Sequence, residues 1–117
     1  MSSESDCIFC GIAAGRIASD IVREDERTVA FRDTNPQAPT HVLVIPRDHL
    51  TSLDHAGPDD RDLLGDVLRA AGEVARSEGI ADAGYRTVIN TGEEGGQSVG
   101  HLHAHVLGGR RLTWPPG

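Results

Sequence analysis

The chain has 117 residues, of which 38% are hydrophobic and 25% are charged, and its formal net charge is −7 at pH 7. These values are typical of one soluble globular domain, and the negative charge argues against nucleic acid as a partner, because nucleic-acid binding needs clustered basic residues. All eleven basic residues are arginines, which excludes a lysine nucleophile or a lysine Schiff base.

The first six residues are polar and acidic, and we expect residues 1–6 to be disordered. They have neither the basic start nor the apolar stretch of a signal peptide. The longest apolar stretches elsewhere are only a few residues long, too short for a transmembrane helix. The sequence therefore predicts a cytoplasmic protein with no membrane partner, folded as a single domain over residues 1–117.

Cys7 and Cys10 are the only cysteines, and their spacing is C-x-x-C. In a cytoplasmic protein this spacing indicates a metal site or a redox pair more often than a structural disulfide. A thioredoxin-like pair would follow a strand, and no strand precedes these cysteines, so the metal site is the stronger interpretation. A pair of small, buried, metal-free thiols is the alternative. Two thiolates need two more ligands, and the candidates are His41, His49, His55, His101, His103 and His105.

The first half of the chain predicts four elements: a short helix over residues 8–14, a hairpin of strands over residues 20–24 and 28–32, and a central strand over residues 41–45. Gly15 ends the helix, since glycine favours the position after a helical C-terminus. Pro46 ends the last of these strands, which is central because it is almost wholly apolar.

The second half predicts one long helix over residues 58–78 and two strands over residues 85–90 and 100–107. The apolar residues of the helix fall on one stripe, namely Leu63, Leu64, Val67, Leu68, Ala71, Val74 and Ala75. Pro58 suits its first turn and Gly79 its end. We therefore expect an α+β domain with a mainly antiparallel five-stranded sheet, one long helix and one short helix.

Three histidines alternate with apolar residues in the pattern H-x-H-x-H: His101, His103 and His105. In an extended chain alternate side chains share a face, so the three imidazoles would stand in a row. The preceding residues 95–100, Gly-Gly-Gln-Ser-Val-Gly, can bring backbone N–H groups close to an anion. The pattern predicts a phosphate cradle beside a histidine nucleophile. The alternative is a catalytic metal shared by the row, although no carboxylate adjoins it.

These motifs resemble the histidine-triad (HIT) family. The run of residues 101–107 matches the triad signature, and residues 33–41, Asp-Thr-Asn-Pro-Gln-Ala-Pro-Thr-His, resemble the loop and strand that precede it in the fold. Residues 95–99 and the terminal Trp-Pro-Pro-Gly resemble the Hint branch in particular. The resemblance covers the chain from Cys7 to Gly117, and it implies a HIT-like fold and a homodimer.

The resemblance also implies an activity. Hint-like proteins cleave the phosphorus–nitrogen bond of purine nucleoside 5′-phosphoramidates, of the adenosine 5′-monophosphoramidate type, through a nucleotidyl-histidine. By position, His103 is the expected nucleophile, while His105 and Ser98 are expected to contact phosphate. A backbone carbonyl of the triad segment is the expected acceptor for the second ring nitrogen of His103. The expected partners are purine nucleotides: AMP, GMP or their phosphoramidate derivatives.

The implied nucleotide site includes further residues from the whole chain. Phe9, Ile12, Ile17 and Phe31 are expected to line the base pocket, with Thr34 against the base, Asp33 on the ribose, Asn90 near the phosphate, and Gly96 and Gln97 beside Ser98. Residues 110–117, with Trp114, are expected to form a tail near the partner subunit's active site. The resemblance also implies a structural Zn²⁺ held by Cys7, Cys10, His49 and His101, and no catalytic metal.

Other functions stay open at this point. One is a dinucleoside polyphosphate hydrolase of the same superfamily, and another is a nucleotide-binding regulatory protein with incidental turnover. A metal-dependent hydrolase that uses the triad is the third.

Overall fold

The computed structural model describes residues 6–117. Its helices are α1 (Ile8–Ala13) and α2 (Arg61–Ser77), and its strands are β1 (Ile21–Glu24), β2 (Thr28–Arg32), β3 (Thr40–Pro46), β4 (Arg86–Val88) and β5 (Ala104–Gly108). The predicted α+β class is confirmed. The predicted disorder of the N-terminus falls, except for Asp6, outside the described residues. Among the described helices, none is long and apolar enough to cross a bilayer.

The five strands form one antiparallel sheet in the order β1-β2-β3-β5-β4. β3 lies at its centre, and all seven of its residues are buried, as its apolar sequence predicts. In the pairing of β3 with β5, Leu43 lies opposite His105 and His41 lies opposite Leu107. His41 and His105 are therefore diagonal neighbours on one face of the sheet.

Helix α2 covers one face of the sheet, which we call the α2 face. The inward side chains of the helix pack there against residues of β3, of β5 and of the segment just before β5 that are at most 1% exposed: Val42, Val44, Leu102, Ala104 and Val106. The opposite face carries the short helix α1, and we call it the α1 face. A smaller cluster that includes Phe9, Phe31 and Leu43 covers only part of it.

Helix α1 has only six residues, so contacts at both ends hold it in place. The backbone N–H of Cys10 donates to the Cys7 sulfur at 3.3 Å. The Arg47 guanidinium donates to the Ala13 carbonyl at 2.7 Å, at the other end of the helix. These contacts fix the position of Phe9, which α1 carries onto the sheet.

Two predicted strands are three residues shorter in the structure than expected. The strand expected over residues 100–107 begins at Ala104, which pairs with Val44. Two positions further in that register, Leu102 would lie opposite Pro46, and proline has no N–H to donate. The Leu102 N–H donates instead to the Leu50 carbonyl at 2.6 Å. β4, expected over residues 85–90, runs from Arg86 to Val88, which pairs with His105.

The long helix also begins later than predicted. Pro58–Asp60 is a 3-10 turn rather than the first turn of the α-helix. The Asp60 carboxylate accepts a hydrogen bond from the Gly57 N–H at 2.8 Å and holds this turn. The α-helix therefore runs from Arg61 to Ser77.

Candidate functional site

Four rings meet on the α1 face of the sheet. The ring centroids of His103 and His105 lie 5.0 Å apart, and those of His41 and His105 lie 5.1 Å apart. The edge-to-face contact of Phe9 with His103 has a centroid distance of 5.1 Å. The predicted alternation holds although His101 and His103 precede β5, because Leu102 packs on the α2 face. β3 adds a fourth histidine, His41, to the row.

The buried ring of His103 is held by its own main chain. Its Nδ1 lies 2.8 Å from the His101 carbonyl oxygen. A carbonyl can only accept, so Nδ1 carries the hydrogen and Nε2 of the neutral ring carries the lone pair. The expected backbone acceptor for His103 is thereby confirmed, and the nitrogen left with nucleophilic character is Nε2.

A chain of hydrogen bonds assigns the tautomers of the other two rings. The Gln37 N–H donates to His41 Nδ1 at 3.0 Å, so His41 carries its hydrogen on Nε2. That hydrogen is donated to His105 Nδ1 at 2.9 Å, which leaves the hydrogen of His105 on Nε2. His105 Nε2 is buried and finds no hydrogen-bond partner within residues 6–117. The site therefore offers one lone pair, on His103, and one unused N–H, on His105.

The electrostatics agree with neutral rings. The pKa of His105 is lowered to about 4, first by burial and then by the neighbouring His103 and His41, against the opposing effect of the Asp33 carboxylate. Burial also lowers the pKa of His41, against the opposing effect of Asp33. Both rings are therefore neutral at pH 7, and each carries the single hydrogen assigned above.

Asp33 lies beside this chain of rings. Its Oδ2 is 3.4 Å from His41 Nε2, and its Oδ1 accepts a hydrogen bond from the Asn35 N–H at 2.8 Å. The ligand atoms of Asp33, His41 and His105 lie within 4.8 Å of one another, which a metal ion could also use. However, the 2.9 Å between His41 Nε2 and His105 Nδ1 fits a hydrogen bond; two nitrogens about 2.0 Å from one tetrahedral ion would lie roughly 3.3 Å apart.

The role of His41 in fixing the tautomer of His105 is absent from the sequence-based site, where His41 is only one of six possible metal ligands. The one feature of the sequence that could have pointed to this role is that His41 ends the motif of residues 33–41. The diagonal pairing with β5 and the Gln37 donor depend on the fold.

The glycine-rich loop differs from the prediction. The N–H groups of Gly96 and Gln97 were expected to face an anion, but they donate within the loop, to the carbonyls of Glu93 and Gly92, at 3.0 Å each. The Gln97 side chain also holds the loop, since its Nε2 donates to the Thr51 and Val99 carbonyls. Within the part of the chain that the structure describes, neither the Ser98 hydroxyl nor the Ser98 N–H makes a hydrogen bond. Ser98 is exposed and can donate to a ligand.

Glycine is required at two positions of this loop. A Cβ on Gly95 would lie 2.3 Å from the Thr91 carbonyl oxygen, so a larger residue would displace the backbone. Gly96 has a φ of +82°, in the left-handed region that other residues rarely adopt. The two glycines shape the loop that presents Ser98.

The residues expected around the base form an apolar group next to the histidines. Phe9 and Phe31 are buried and meet edge-to-face at 5.4 Å between centroids. Ile12 is buried in the same cluster, whereas Ile17 is 42% exposed. Thr34 is exposed, so this group is open to solvent on one side. Asn90 is half-buried.

The C-terminal tail is attached to its own chain up to Thr113. The Arg86 guanidinium donates to the Thr113 carbonyl at 2.8 Å, and the Arg110 guanidinium donates to the Gln37 carbonyl at 3.0 Å. Trp114, the next residue, is 81% exposed. It belongs to no part of the histidine site within its own chain.

The four predicted metal ligands lie together. The Cys10 sulfur is 3.2 Å from His49 Nδ1 and 3.4 Å from His101 Nδ1, and the Cys7 sulfur is 3.4 Å from His101 Nδ1. All four ligand atoms lie within 4.8 Å of one another. We call these four residues the Cys/His cluster. Neither cysteine is in a disulfide.

The hydrogen bonds behind the histidines fit a metal. His101 Nε2 lies 2.9 Å from the Pro46 carbonyl, which can only accept, so His101 carries its hydrogen on Nε2 and turns the Nδ1 lone pair toward the sulfurs. His49 Nε2 lies 3.3 Å from the Thr51 hydroxyl, which can accept its hydrogen, and His49 Nδ1 faces the cluster. Two thiolates and two imidazole nitrogens are a donor set typical of structural zinc.

The comparisons with known proteins agree with this geometry. The family model described as the HIT domain matches residues 14–112. A "14 kDa zinc-binding protein" of Zea mays is 52% identical over 116 residues, covering 97% of this chain and 90% of that protein. The "Adenylylsulfatase HINT1" of Arabidopsis thaliana is 49% identical over 117 residues, covering 98% of this chain and 79% of that protein. A crystal structure of a HIT family hydrolase from Legionella pneumophila Philadelphia 1 has a TM-score of 0.93 at 49% identity, covering 95% of this chain and 99% of that one.

Proposed function

The chain belongs to the HIT domain family, in its Hint-like branch, and from its site we propose that it hydrolyses purine nucleoside 5′-phosphoramidates, of the adenosine 5′-monophosphoramidate type, through a nucleotidyl-histidine. The observation that carries the proposal is the pairing of a lone pair on His103 Nε2 with an unused N–H on His105 Nε2. A nucleophile and a hydrogen-bond donor on adjacent rings suit attack at a phosphoryl group.

In the first step, His103 Nε2 attacks phosphorus and the phosphorus–nitrogen bond breaks. The His101 carbonyl stabilises the positive charge that develops on the His103 ring, since Nδ1 donates to it. The His105 Nε2–H and the Ser98 hydroxyl are the donors available for the phosphoryl oxygens. In the second step, water attacks phosphorus and gives a proton to the solvent, the bond to His103 breaks, and the nucleoside monophosphate leaves.

The departing amine needs a proton, and the histidine pair is a poor source of it. The pair has two N–H hydrogens: one on His41 Nε2, which is donated to His105 Nδ1, and one on His105 Nε2. Donation of either without replacement would leave an imidazolate, and the low pKa of His105, near 4, disfavours an additional proton. We infer that the amine takes its proton from solvent water at the exposed side of the site, and that hydrolysis consumes one water in total.

The same argument favours a second candidate substrate, adenylyl sulfate. A sulfate leaving group departs as an anion and needs no proton, which suits a site whose His41 and His105 rings are neutral. The Arabidopsis relative is named an adenylylsulfatase. Both substrates share the adenylyl group and the phosphorus that His103 would attack, so the site could accept both.

The nucleoside would lie on the apolar group beside the histidines. We propose that Phe9, Phe31, Ile12, Ile17 and Thr34 contact the base. Asp33 is close enough to His41 to hold a ribose hydroxyl near the reacting phosphate. Asn90 is proposed to lie near the phosphate, while Gly96 and Gln97 contribute through the shape of the loop that carries Ser98.

A substrate panel tests the proposal. Initial rates would be compared for adenosine and guanosine 5′-phosphoramidates, adenylyl sulfate and dinucleoside polyphosphates. We expect adenosine 5′-monophosphoramidate or adenylyl sulfate to be the best substrate. Preference for dinucleoside polyphosphates would favour the other hydrolase of this superfamily, and tight nucleotide binding without turnover would favour a regulatory protein. A chelator that abolished turnover at once, without unfolding, would favour a metal-dependent triad.

We also propose that the Cys/His cluster holds a structural Zn²⁺ and that the protein is a cytoplasmic homodimer. The donor set and the hydrogen bonds behind His49 and His101 support zinc, as does the name of the maize relative. The edge strand β4 supports a dimer, because among the described residues it pairs with β5 alone, and a surface cavity of about 600 Å³, lined in part by Tyr85 and Leu112, adjoins it.

The proposed dimer gives the tail a role in substrate choice. The Trp114 side chain is exposed and lies outside the histidine site of its own chain. We therefore propose that it shapes the leaving-group pocket of the partner subunit. Deletion of residues 114–117 should change the ranking of leaving groups in the substrate panel more than it changes affinity for AMP. The dimer should persist in sedimentation, because the tail lies outside the edge strand. An unaltered ranking would remove this role.

A further inference from the structure

His101 connects the Cys/His cluster to the proposed nucleophile. Its side chain is fully buried, with Nδ1 facing the two sulfurs and Nε2–H donating to the Pro46 carbonyl. Its own carbonyl oxygen is the acceptor for His103 Nδ1–H at 2.8 Å. One residue therefore has its ring in the cluster and its peptide group against the ring that carries the nucleophilic nitrogen.

The sheet does little to hold this peptide group. Residues 100–103 precede β5, so they lie outside the ladder with β3. The Leu102 N–H donates to the Leu50 carbonyl, at 2.6 Å. Leu50 itself follows His49, another member of the cluster. Both chain segments that meet around the His101 peptide are thus anchored at the same four side chains.

We propose that the Cys/His cluster, when it holds zinc, positions His103 for attack through the His101 peptide, in addition to stabilising the fold. His101 is then a positioning residue. The inference rests on the proposed function, since it concerns the nucleophile of that reaction, but its main test needs no substrate.

The physical argument concerns the His103 tautomer. When zinc is bound, the His101 ring cannot turn and its carbonyl stays opposite His103 Nδ1. When the ring is released, the carbonyl loses that restraint and His103 can carry its hydrogen on Nε2 instead. The attacking lone pair is then absent from Nε2. Losing the bias of one such hydrogen bond should lower kcat about tenfold, with little change in KM, because substrate contacts are unaffected.

The experiment uses protein labelled with ¹⁵N at histidine and measured without substrate at one fixed pH. Zinc content would be determined first, and less than about 0.2 zinc per chain in protein purified without chelators would overturn the proposal. In the zinc-loaded protein we expect His103 to give the signals of a single Nδ1–H tautomer. After chelation, with folding verified by circular dichroism, the Nδ1–H signal should be lost or split. Unchanged His103 signals in folded, zinc-free protein would contradict the proposal.

A second measurement covers the case in which the zinc-free protein unfolds. Replacing zinc by the larger cadmium ion keeps the cluster filled while it shifts the ligand positions, and the His103 Nδ1–H resonance should then move. The His41 and His105 resonances should move less. An unmoved His103 signal would overturn the proposal. As a control for general destabilisation, Val74→Ala, on the α2 face, should leave the His103 signals as they are.

The outcome is separable from that of the proposed function. If zinc-loaded wild-type protein fails to hydrolyse any member of the substrate panel, the proposed function fails, whatever the His103 signals do. If it hydrolyses them and the His103 signals do not respond to the metal, only the positioning role of His101 fails.

Discussion

The two faces of the sheet place different demands on the same backbone. On the α2 face, the side chains of α2 and of β3 and β5 are aliphatic and almost fully buried, and their packing requires shape and volume but no particular atom. On the α1 face, each imidazole nitrogen of His41, His103 and His105 has an assigned role as donor or acceptor. The difference is that the α2 face should tolerate substitutions of similar volume, whereas the α1 face should not.

The largest expected effect lies at His103. His103→Asn removes the nucleophilic nitrogen while keeping a side chain that can donate to the His101 carbonyl. Turnover should fall on the order of 10⁴- to 10⁶-fold, while nucleotide affinity stays within about tenfold, or 1.4 kcal/mol. Steady-state kinetics and calorimetric titration with AMP would measure the two quantities.

Quenched turnovers provide the matching positive result. Trypsin should release residues 87–110 as one peptide, because no arginine lies between Arg86 and Arg110. That peptide should carry the nucleotide at His103 in wild-type protein and not in the variant. Turnover close to that of the wild type in His103→Asn would contradict the mechanism.

A smaller effect is expected at His41, which touches substrate in no step of the proposal. His41→Phe keeps a buried ring but removes the hydrogen that fixes the tautomer of His105. The His105 donor would then be available only part of the time, and kcat should fall roughly 10²-fold, as for the loss of one transition-state donor. His55→Phe is the matched control, since His55 is exposed and its Nδ1 contacts the Ser52 hydroxyl rather than a triad ring. Equal activity of the two variants would show that the hydrogen-bond chain is unimportant.

On the α2 face the effect should be on stability alone. Val74 is fully buried between α2 and the sheet, and Val74→Ala removes two methyl groups from that contact. We expect the free energy of unfolding to drop by about 2 kcal/mol, with kcat of the folded protein unchanged. Urea denaturation and kinetics well below the transition would test this. A loss of kcat larger than about threefold would mean that the two faces are coupled.

A further, smaller effect is expected on the pH dependence of the free energy of unfolding, to which His105 on the α1 face contributes. The pKa of His105 is lowered to about 4 in the folded protein, compared with about 6.5 in the unfolded chain. The unfolded state therefore binds the extra proton first, so this contribution is fully present above pH 6.5 and is lost as the pH falls toward 4.

The comparison variant is His105→Asn, which has no such proton to bind. Between pH 6.5 and 4, the free energy of unfolding of the wild type should fall more steeply than that of the variant, by at most about 1.4 kcal/mol per pH unit. Urea denaturation of both zinc-loaded proteins at several pH values would measure the slopes. Parallel curves would contradict the assigned pKa of His105.

The α2 face was predictable from the sequence because its signal is local. The stripe from Leu63 to Ala75 and the apolar run of β3 identify the helix, the central strand and their packing from periodicity alone. The start of β5 was not predictable in this way. It depends on which residue of β3 lies opposite Leu102, and Pro46 ends the ladder there although the two are far apart in sequence.

On the α1 face, the sequence predicted which residues form the site but not which atoms donate or accept each hydrogen bond. The triad, the Cys/His cluster and Phe9 were identified from motifs and resemblance, and the structure brings them together. The partner of each hydrogen bond could not be derived, because Gln37, Pro46 and His101 act through backbone groups that their side chains do not reveal. For the same reason, the glycine-rich composition of the loop did not reveal that the Gly96 and Gln97 N–H groups donate to carbonyls within the loop itself.

The central claim is that hydrolysis proceeds by two displacements at phosphorus, the first of them by His103. The stereochemical course tests it most directly and does not require the intermediate to accumulate. A phosphoramidate made chiral at phosphorus by sulfur substitution would be hydrolysed in ¹⁸O-labelled water, and the configuration of the product determined. Two in-line displacements predict net retention of configuration, whereas net inversion would show direct attack by water and contradict the account.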